Sequence, residues 1–518
     1  MSNIIIHRDH VVMPADARLD VLIPHAKRLN HNGQEFVVVP HKLDEVKVLR
    51  NLGYDVKPPI LTSYDWCNTV PFDAQRVTAA MVTLNPRCFV LNGIATGKTR
   101  SVLFAFDYLR RTGQARKLLV VSPMTSLRQT WEKEVFMVMP YLKVGILKGS
   151  KAKRLEVLAT DCDIYVINHD GVAVIEDELK ARNDIDMMVL DEISDVYRDA
   201  RSKRSQCIQR VSRTIPRVVG MTATPMSGQP TDVYGQVKSV DPGRQMLSFT
   251  RLREQLMRKI TAFKWVNRDD ALEQVYQIMQ PAVRFTRDEC YDLPPSQTVI
   301  VPAELTAEQK ELYSRVAGEC AAEMAAGSFK AVNEADRINK LTQISLGAVY
   351  NTEREVVRLP CGPRLHVVEE LCAQSPSKTI VFTPYKGSIA LLKEHLGKRW
   401  SVAEISGDVP DAERERVFTA FQQMEHPHII VAHPKTMSHS LTLTAASTIV
   451  WYGPPPSLER FEQANGRIGR AGQQHKQLIA CVAATKLEER VYDRMKSRAS
   501  TQGLLLEMYA NQDLGDLL

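Results

Sequence analysis

Residues 88–99 read CFVLNGIATGKT, and the stretch that follows, SVLFAFDYLRR (101–111), has the period of an amphipathic helix. A short apolar run, a glycine-bearing turn and a helix start make a strand–turn–helix. A turn at a helix N-terminus aims backbone N–H groups at phosphate oxygens. The cradle predicted here is Asn92, Gly93, Ile94, Ala95, Thr96, Gly97, Lys98 and Thr99. Lys98 would reach the β- and γ-phosphates of a nucleotide as a point charge, and Thr99 would offer magnesium a hydroxyl. The strict pattern wants Gly where Asn92 stands. The bland alternative is a chance Gly-Lys-Thr turn, and the strand before it and the helix after it argue against that.

The same rhythm extends outward. Apolar runs at Cys88–Leu91, Leu118–Val121, Ile164–Ile167, Met187–Leu190 and Val218–Met221 alternate with helical patterns. It returns at Thr379–Phe382, Val402–Ile405, Ile429–Ala432, Thr448–Trp451 and Leu478–Val482. Continuous apolar strands between helices indicate parallel sheets buried on both faces. The expected fold is therefore α/β, with two doubly wound lobes. Residues 242–365 read as mainly helical, an accessory region plus the start of the second lobe. FVVVPHKLDEVKVLRNLGYDV (36–56) reads as strand, helix, strand, a small unit that Pro58 and Pro59 close off.

Three further strings carry chemistry. MMVLDEIS (187–194) ends an apolar run on Asp191 and Glu192. Ligands bind at strand carboxyl ends in such sheets. There Asp191 would hold magnesium and Glu192 would polarise an attacking water. By itself the pair could be an acidic helix start favoured by the macrodipole. GMTATP (220–225) also ends a strand, and its Thr222 and Thr224 are candidates for relaying the site's state by hydroxyl hydrogen bonds; alone it is only a turn. QANGRIGRAGQ (463–473) supplies Gln463, Arg467 and Arg470. Two arginines three apart share a face if helical. They would suit an arginine finger on a transferring phosphoryl group. The alternative is a solvated basic turn.

Composition sets bounds. The chain has 518 residues, a net charge of +7 and nine cysteines. That length makes room for about three domains. No apolar run approaches the ~20 residues of a membrane span, and no Cys-x-x-Cys pair suggests zinc or redox chemistry. His426, His428 and His433 lack metal-ligand spacing and are read as structural or surface residues. Two basic segments, RDARSKRSQCIQRVSRTIPR (198–217) and RLREQLMRKITAFKWVNR (251–268), are candidates for phosphate contact or for solvated helix faces.

Taken together, these motifs resemble superfamily two helicases, and within them the sucrose-nonfermenting (Swi/Snf-type) group. PFDAQ (71–75) looks like the adenine-reading segment, which would give Gln75 the adenine edge. VVSPMTSLRQTWEKEV (120–135) resembles motif Ia, ATPMSGQPTDVYGQVKSVDP (223–242) the stretch after motif III, and VRFTRDECYDLPPSQTVIVPAELTAEQKELY (283–313) the group's arginine-to-Leu-Pro-Pro segment with Leu293, Pro294 and Pro295. AHPKTMSHSLTLTAASTIVWYGPPPSLERFEQANGRIGRAGQ (432–473) looks like motifs V and VI. Two departures stand out: Ala95 where the group's phosphate loop usually has Gly, and Ser440 after His439 where motif V usually has Gly.

The resemblance, from about Pro71 to about Arg494, implies two RecA-like lobes, to which the reading of the residues adds a mainly helical accessory region and a small N-terminal α/β unit. The expected division is a small accessory unit at 1–60, an ATP-binding lobe at 61–241, the helical region and linker at 242–365, a second lobe at 366–500 and a tail at 501–518. It implies ATP and Mg2+ as cofactors and duplex or branched DNA as the track. Composition makes a cytoplasmic protein without membrane association the expectation, and a monomer is expected; the cytoplasm is that of a bacterial host if phage-encoded, because the pattern is most similar to compact phage-encoded members. Phage or host replication or recombination proteins are expected partners, and the small N-terminal unit is expected beside the first lobe, helping to engage DNA. The competing readings are an RNA helicase, the motor subunit of a nuclease complex, and a scaffold with a decayed ATP site.

Overall fold

The computed structural model describes residues 4–495 apart from Arg8, 227–228, 262–264, 291–293, 326–330, Thr352, Arg354, 438–441, Ala471 and Arg494. Leu293, Ser440 and the 501–518 tail therefore lie outside the described residues. The chain divides into two compact units after Cys290.

The first unit begins with a four-stranded antiparallel sheet in the order Ile5–His7, His10–Pro14, Gln34–Pro40, Lys27–His31. Alternation puts Val11, Met13, Val37 and Val39 on one face. The helix Leu43–Asn51 covers that face with Val46 and Leu49. The strand expected at residues 54–56 does not form. Gly53, at φ +89°, turns the chain back at the helix end, and Tyr54 N–H bonds to Leu49 O. Val56 then fills the same small core as a plug. This N-terminal part lies against the helix Asp73–Leu84, whose Leu84 packs on its core.

A seven-stranded parallel sheet follows, in the order Ala282–Val283, Arg87–Val90, Arg217–Met221, Ile185–Asp191, Lys117–Ser122, Ile164–Asn168, Val144–Leu147. Every apolar run expected of the first lobe is a strand. Successive residues point to opposite faces: Phe89, Leu119, Val121, Met188 and Leu190 belong to one core, and Val90, Leu118, Val120, Met187 and Val189 to the other. Burying both faces is what the absence of polar alternation in these runs demanded.

Two of the seven strands escaped the sequence reading. VGIL (144–147) is four residues with a glycine inside, and Ala282–Val283 is only a pair. The latter belongs to the stretch 242–365, expected as mainly helical, an accessory region plus the start of the second lobe. That stretch instead gives one strand to each parallel sheet. It also contains the hairpin Met257–Lys259 with Trp265–Asn267 and the helices Phe249–Leu256 and Ala271–Ile278, which pack on the first unit's core.

The second unit carries a six-stranded parallel sheet in the order Ser296–Pro302, Gln477–Ala483, Ala446–Trp451, Lys378–Phe382, Ile429–Ala432, Val402–Ile405. Five strands are those expected, and Ser296–Pro302 joins as an edge. Ile380, Phe382, Ile430, Ile449 and Trp451 pack on one face, and Val381, Val431, Val450, Ala480 and Val482 on the other.

A buried ion pair closes this unit. Arg364 and Glu488 are each 1% exposed and meet at 2.9 Å. Arg364 also donates to the carbonyls of Tyr452, Val482 and Ser345, while Glu488 accepts from Ser345 Oγ and Ala484 N. The helix Gly362–Gln374, the ends of two strands and the chain after them are thus tied at one point. Arg364 belongs to this knot while standing just before the expected 365/366 boundary, in the stretch read as an accessory region plus the start of the second lobe. Removing one partner strands a buried charge. We expect Arg364→Met to destabilise the second unit by about 3–5 kcal/mol. Arg364→Met with Glu488→Leu should cost less than either single change, measured by urea unfolding of the full chain. A single variant as stable as wild type would remove the pair from this role.

Candidate functional site

The loop after Arg87–Val90 runs into the helix Lys98–Arg111 through residues that only particular backbones permit. Gly97 caps the helix at φ +79°, and a Cβ there would lie 2.0 Å from Gln75 Nε2. Glycine is required for both reasons. A Cβ on Gly93 would meet Arg284 Nη1 at 3.2 Å. Ala95 holds φ +69° without being glycine, a conformation that costs an L-residue about 1–2 kcal/mol.

Asn92 replaces the glycine of the strict pattern for a visible reason. Its Nδ2 donates to Thr78 Oγ1 at 2.8 Å, and its Oδ1 accepts from Phe285 N at 3.0 Å. It ties the loop to a flanking helix and to the segment after Ala282–Val283. Arg284 reinforces this by donating to Leu91 O at 2.7 Å and Phe285 O at 3.0 Å. Lys98 Nζ donates to Asn92 O and Gly93 O, both at 3.0 Å, so the ammonium is held inside the loop. Thr96 Oγ1 donates to Gly93 O.

The carboxylates stand beside this loop because three strands end level. Met221 pairs with Val90 on one side and Asp191 on the other. Asp191 is 8% exposed, and its Oδ2 accepts from Ser122 Oγ at 2.9 Å and Trp131 Nε1 at 3.1 Å. Burial raises its pKa, opposed by those two hydrogen bonds and by the Lys98 charge. Glu192 follows in the left-handed region at φ 51°, ψ 48°, and caps the short helix Ile193–Val196. Strain of this kind in a non-glycine residue collects at functional sites. Thr222 Oγ1 lies 2.7 Å from Ser194 Oγ and accepts from Thr224 N, so GMTATP is wired directly to DEIS.

Sequence reasoning named Asp191 and Glu192 at a strand end and Lys98 and Thr99 in a turn that opens a helix, and those are the elements on which they stand. It gave no role to Ser122, Trp131, Ser194 or Arg284, which orient them. Trp131 and Arg284 were visible only as letters of longer motifs. Nor did it pick out half-buried His169, 2.9 Å from Tyr197 OH, whose pKa is pushed down to about 4 by desolvation of its ring. Gln75 is buried, accepts from Phe72 N at 3.1 Å and lies against Gly97.

In the second unit the helix Leu458–Asn465 stops before the arginines. Arg467 and Arg470 therefore sit in the turn after it and do not share a helical face. Arg467 is 2% exposed, and its carbonyl accepts from Leu443 N. Arg470 donates to Gly466 O and Thr442 Oγ1. Gln463, on the helix, accepts from Arg460. His426 bonds Ser401, and His433 accepts from Lys435 N as a helix cap. Among the described residues no group of three or more His, Cys, Asp or Glu is placed to hold a metal. No helix among them is long and apolar enough to cross a membrane.

The two basic segments differ. Along 198–217, Arg198 pairs with Asp195, Arg201 with Asp199, Arg204 with Asp170 and Arg210 with Glu176. These charges are spent on the chain's own surface. The 251–268 segment lacks such pairing at Arg251, Arg258 and Lys259 among the described residues.

Residues 363–472 match the helicase conserved C-terminal domain. "Putative protein p41" of Acyrthosiphon pisum secondary endosymbiont phage 1 is 24% identical over 453 residues, 81% of this chain and 94% of that protein. "Putative ATP-dependent helicase/translocase YwqA" of Bacillus subtilis is 22% identical over 79% of this chain, and "DNA annealing helicase and endonuclease ZRANB3" of Bos taurus is 22% identical over 77%. The chain spans nearly the whole phage protein but only 45% of the Bacillus protein and 37% of the bovine one. Residues 77–354, more than half of the chain and including both the phosphate loop and the two carboxylates, match the SNF2-related domain, and the chain belongs to that family.

Proposed function

We propose that this chain is a DNA-dependent ATPase that couples ATP hydrolysis to movement along duplex or branched DNA. The observation that carries the reading is the level ending of three parallel strands, which sets Lys98, Asp191, Glu192 and Thr222 side by side. The helicase and translocase relatives support the activity, and the DNA annealing helicase among them supports DNA as the track. The phage relative supports work in phage DNA replication, recombination or repair inside a bacterial cell.

The residues divide the work. Gln75 reads the adenine edge. The backbone of residues 92–97 cradles the phosphates, and Lys98 exchanges its two loop carbonyls for β- and γ-phosphate oxygens. Asp191 and Thr99 are hard oxygen donors that fit Mg2+, which when bound supplies charge neutralisation at the phosphates. Glu192 orients and polarises water for in-line attack. The new bond joins the water oxygen to the γ-phosphorus, the bond to the β–γ bridging oxygen breaks, and ADP and phosphate leave as the water's proton passes to Glu192. Arg467 and Arg470, with Gln463, stabilise charge on the γ-phosphoryl group in the transition state. The Thr222–Ser194 bond is the relay by which the hydrolysis state reaches the rest of the lobe.

Two outcomes follow. Arg467→Ala and Arg470→Ala should each lower kcat by at least about 100-fold while ATP affinity changes less than threefold, because a finger acts on the transition state. A large loss of affinity with unchanged kcat would contradict the assignment. The ATPase rate should rise at least tenfold with duplex or branched DNA, rise far less with RNA, and lose its stimulation as salt increases. RNA equal to duplex DNA at matched salt would replace the DNA reading with an RNA helicase.

A further inference from the structure

The hairpin Met257–Lys259 with Trp265–Asn267 has no part in the nucleotide site, and its two faces differ in chemistry. The register pairs Met257 with Asn267, Arg258 with Val266 and Lys259 with Trp265. Side chains alternate between faces along each strand. Met257 is buried in the first unit's core, and Trp265 packs against that core with the Arg253 guanidinium 4.3 Å over its ring. This inner face fixes the ribbon to the helix Phe249–Leu256. The outer face carries Arg258 and Val266, with Val266 41% exposed, and Ile260 follows at 49%. Arg268 continues the line and donates through Nε to Glu254 O.

Charge sets this surface apart. Residues 251–270 hold six basic and three acidic side chains. Asp269 and Asp270 lie at the start of the next helix, where Asp270 accepts from Gln274, and Glu254 is on the preceding one. Among the described residues no acidic group pairs with Arg258 or Lys259. A chain that pairs four arginines of its 198–217 segment leaves these two cations open. A two-stranded ribbon fits a DNA major groove, and its exposed cations, Arg258 on the outer face and Lys259 at the strand's end, would meet phosphates without reading bases.

We infer that this hairpin is a contact site for the phosphodiester backbone of duplex DNA, held by Arg258 on its outer face and by the exposed Lys259 at the end of the same strand, which alternation puts on the opposite face, with Val266 and Ile260 against the sugars. The inference rests on the DNA-translocase reading and adds where the first unit grips its track. The test is binding of the full chain to a fluorescent 30-base-pair duplex across a salt series. Arg258→Glu with Lys259→Glu should weaken binding about tenfold or more at physiological salt. The log–log salt slope should fall by about 2, since each lost phosphate contact removes roughly 0.9. Arg204→Ala with Arg210→Ala, on the ion-paired helix, should leave the slope unchanged. A single-stranded arm shows whether the site is specific to duplex, and duplex weakened more than single strand supports it. Wild type that binds duplex while the Glu variant binds with the same affinity and slope overturns the hairpin site alone. Wild type that binds no duplex overturns the translocase reading and the hairpin site together.

Discussion

Parallel pairing of Met221 with Val90 on one side and Asp191 on the other is the constraint from which the site follows. In a parallel sheet every strand presents its carboxyl end to the same edge. When three neighbours stop at the same level, the loops leaving them must crowd together. Here those loops are the phosphate cradle, the Asp191–Glu192 turn and the Thr222 turn. Asn92 and Arg284 then lock the first loop to the strand on its far side, through Phe285 N and Leu91 O. Ser122 and Trp131 fix the buried carboxylate from the other side.

The site carries strain where the chemistry needs reach. Ala95 and Glu192 both occupy positive φ without being glycine. Each is held by its surroundings: Ala95 between Gly93 and the cap at Gly97, and Glu192 between a buried strand end and a helix start. The same logic of over-determination appears in the second unit, where Arg364 and Glu488 are sealed among backbone carbonyls and amides. That pair costs desolvation, and its return is a fixed junction between the start and the end of the lobe.

Much of this was legible in the letters. Ten apolar runs became ten strands because strands buried on both faces need no polar alternation. Asp191 and Glu192 were legible because they end an apolar run, which is where a parallel sheet binds ligands, and Lys98 because a glycine-bearing turn leads from such a run into its helix. What escaped was set by tertiary contact. Ala282–Val283 is a strand only because Val90 and Phe89 offer it an edge. YDV (54–56) has the composition of a strand, yet Gly53 folds it over a helix whose sheet is already complete. The arginines of 198–217 look like a nucleic-acid surface until Asp170 and Glu176, some 34 residues away in sequence, are brought against Arg204 and Arg210. Arg467 and Arg470 have helical spacing, but the helix ends at Asn465.

The account turns on Glu192 being the base that activates water beside an independently built phosphate cradle. The decisive measurement is Glu192→Gln, with binding of a fluorescent ATP analogue and steady-state turnover read on the same preparation with duplex DNA present. The account predicts nucleotide affinity within about threefold of wild type and turnover reduced by 100-fold or more, in the range general-base catalysis supplies. Lost nucleotide binding, or turnover near wild type, would contradict it.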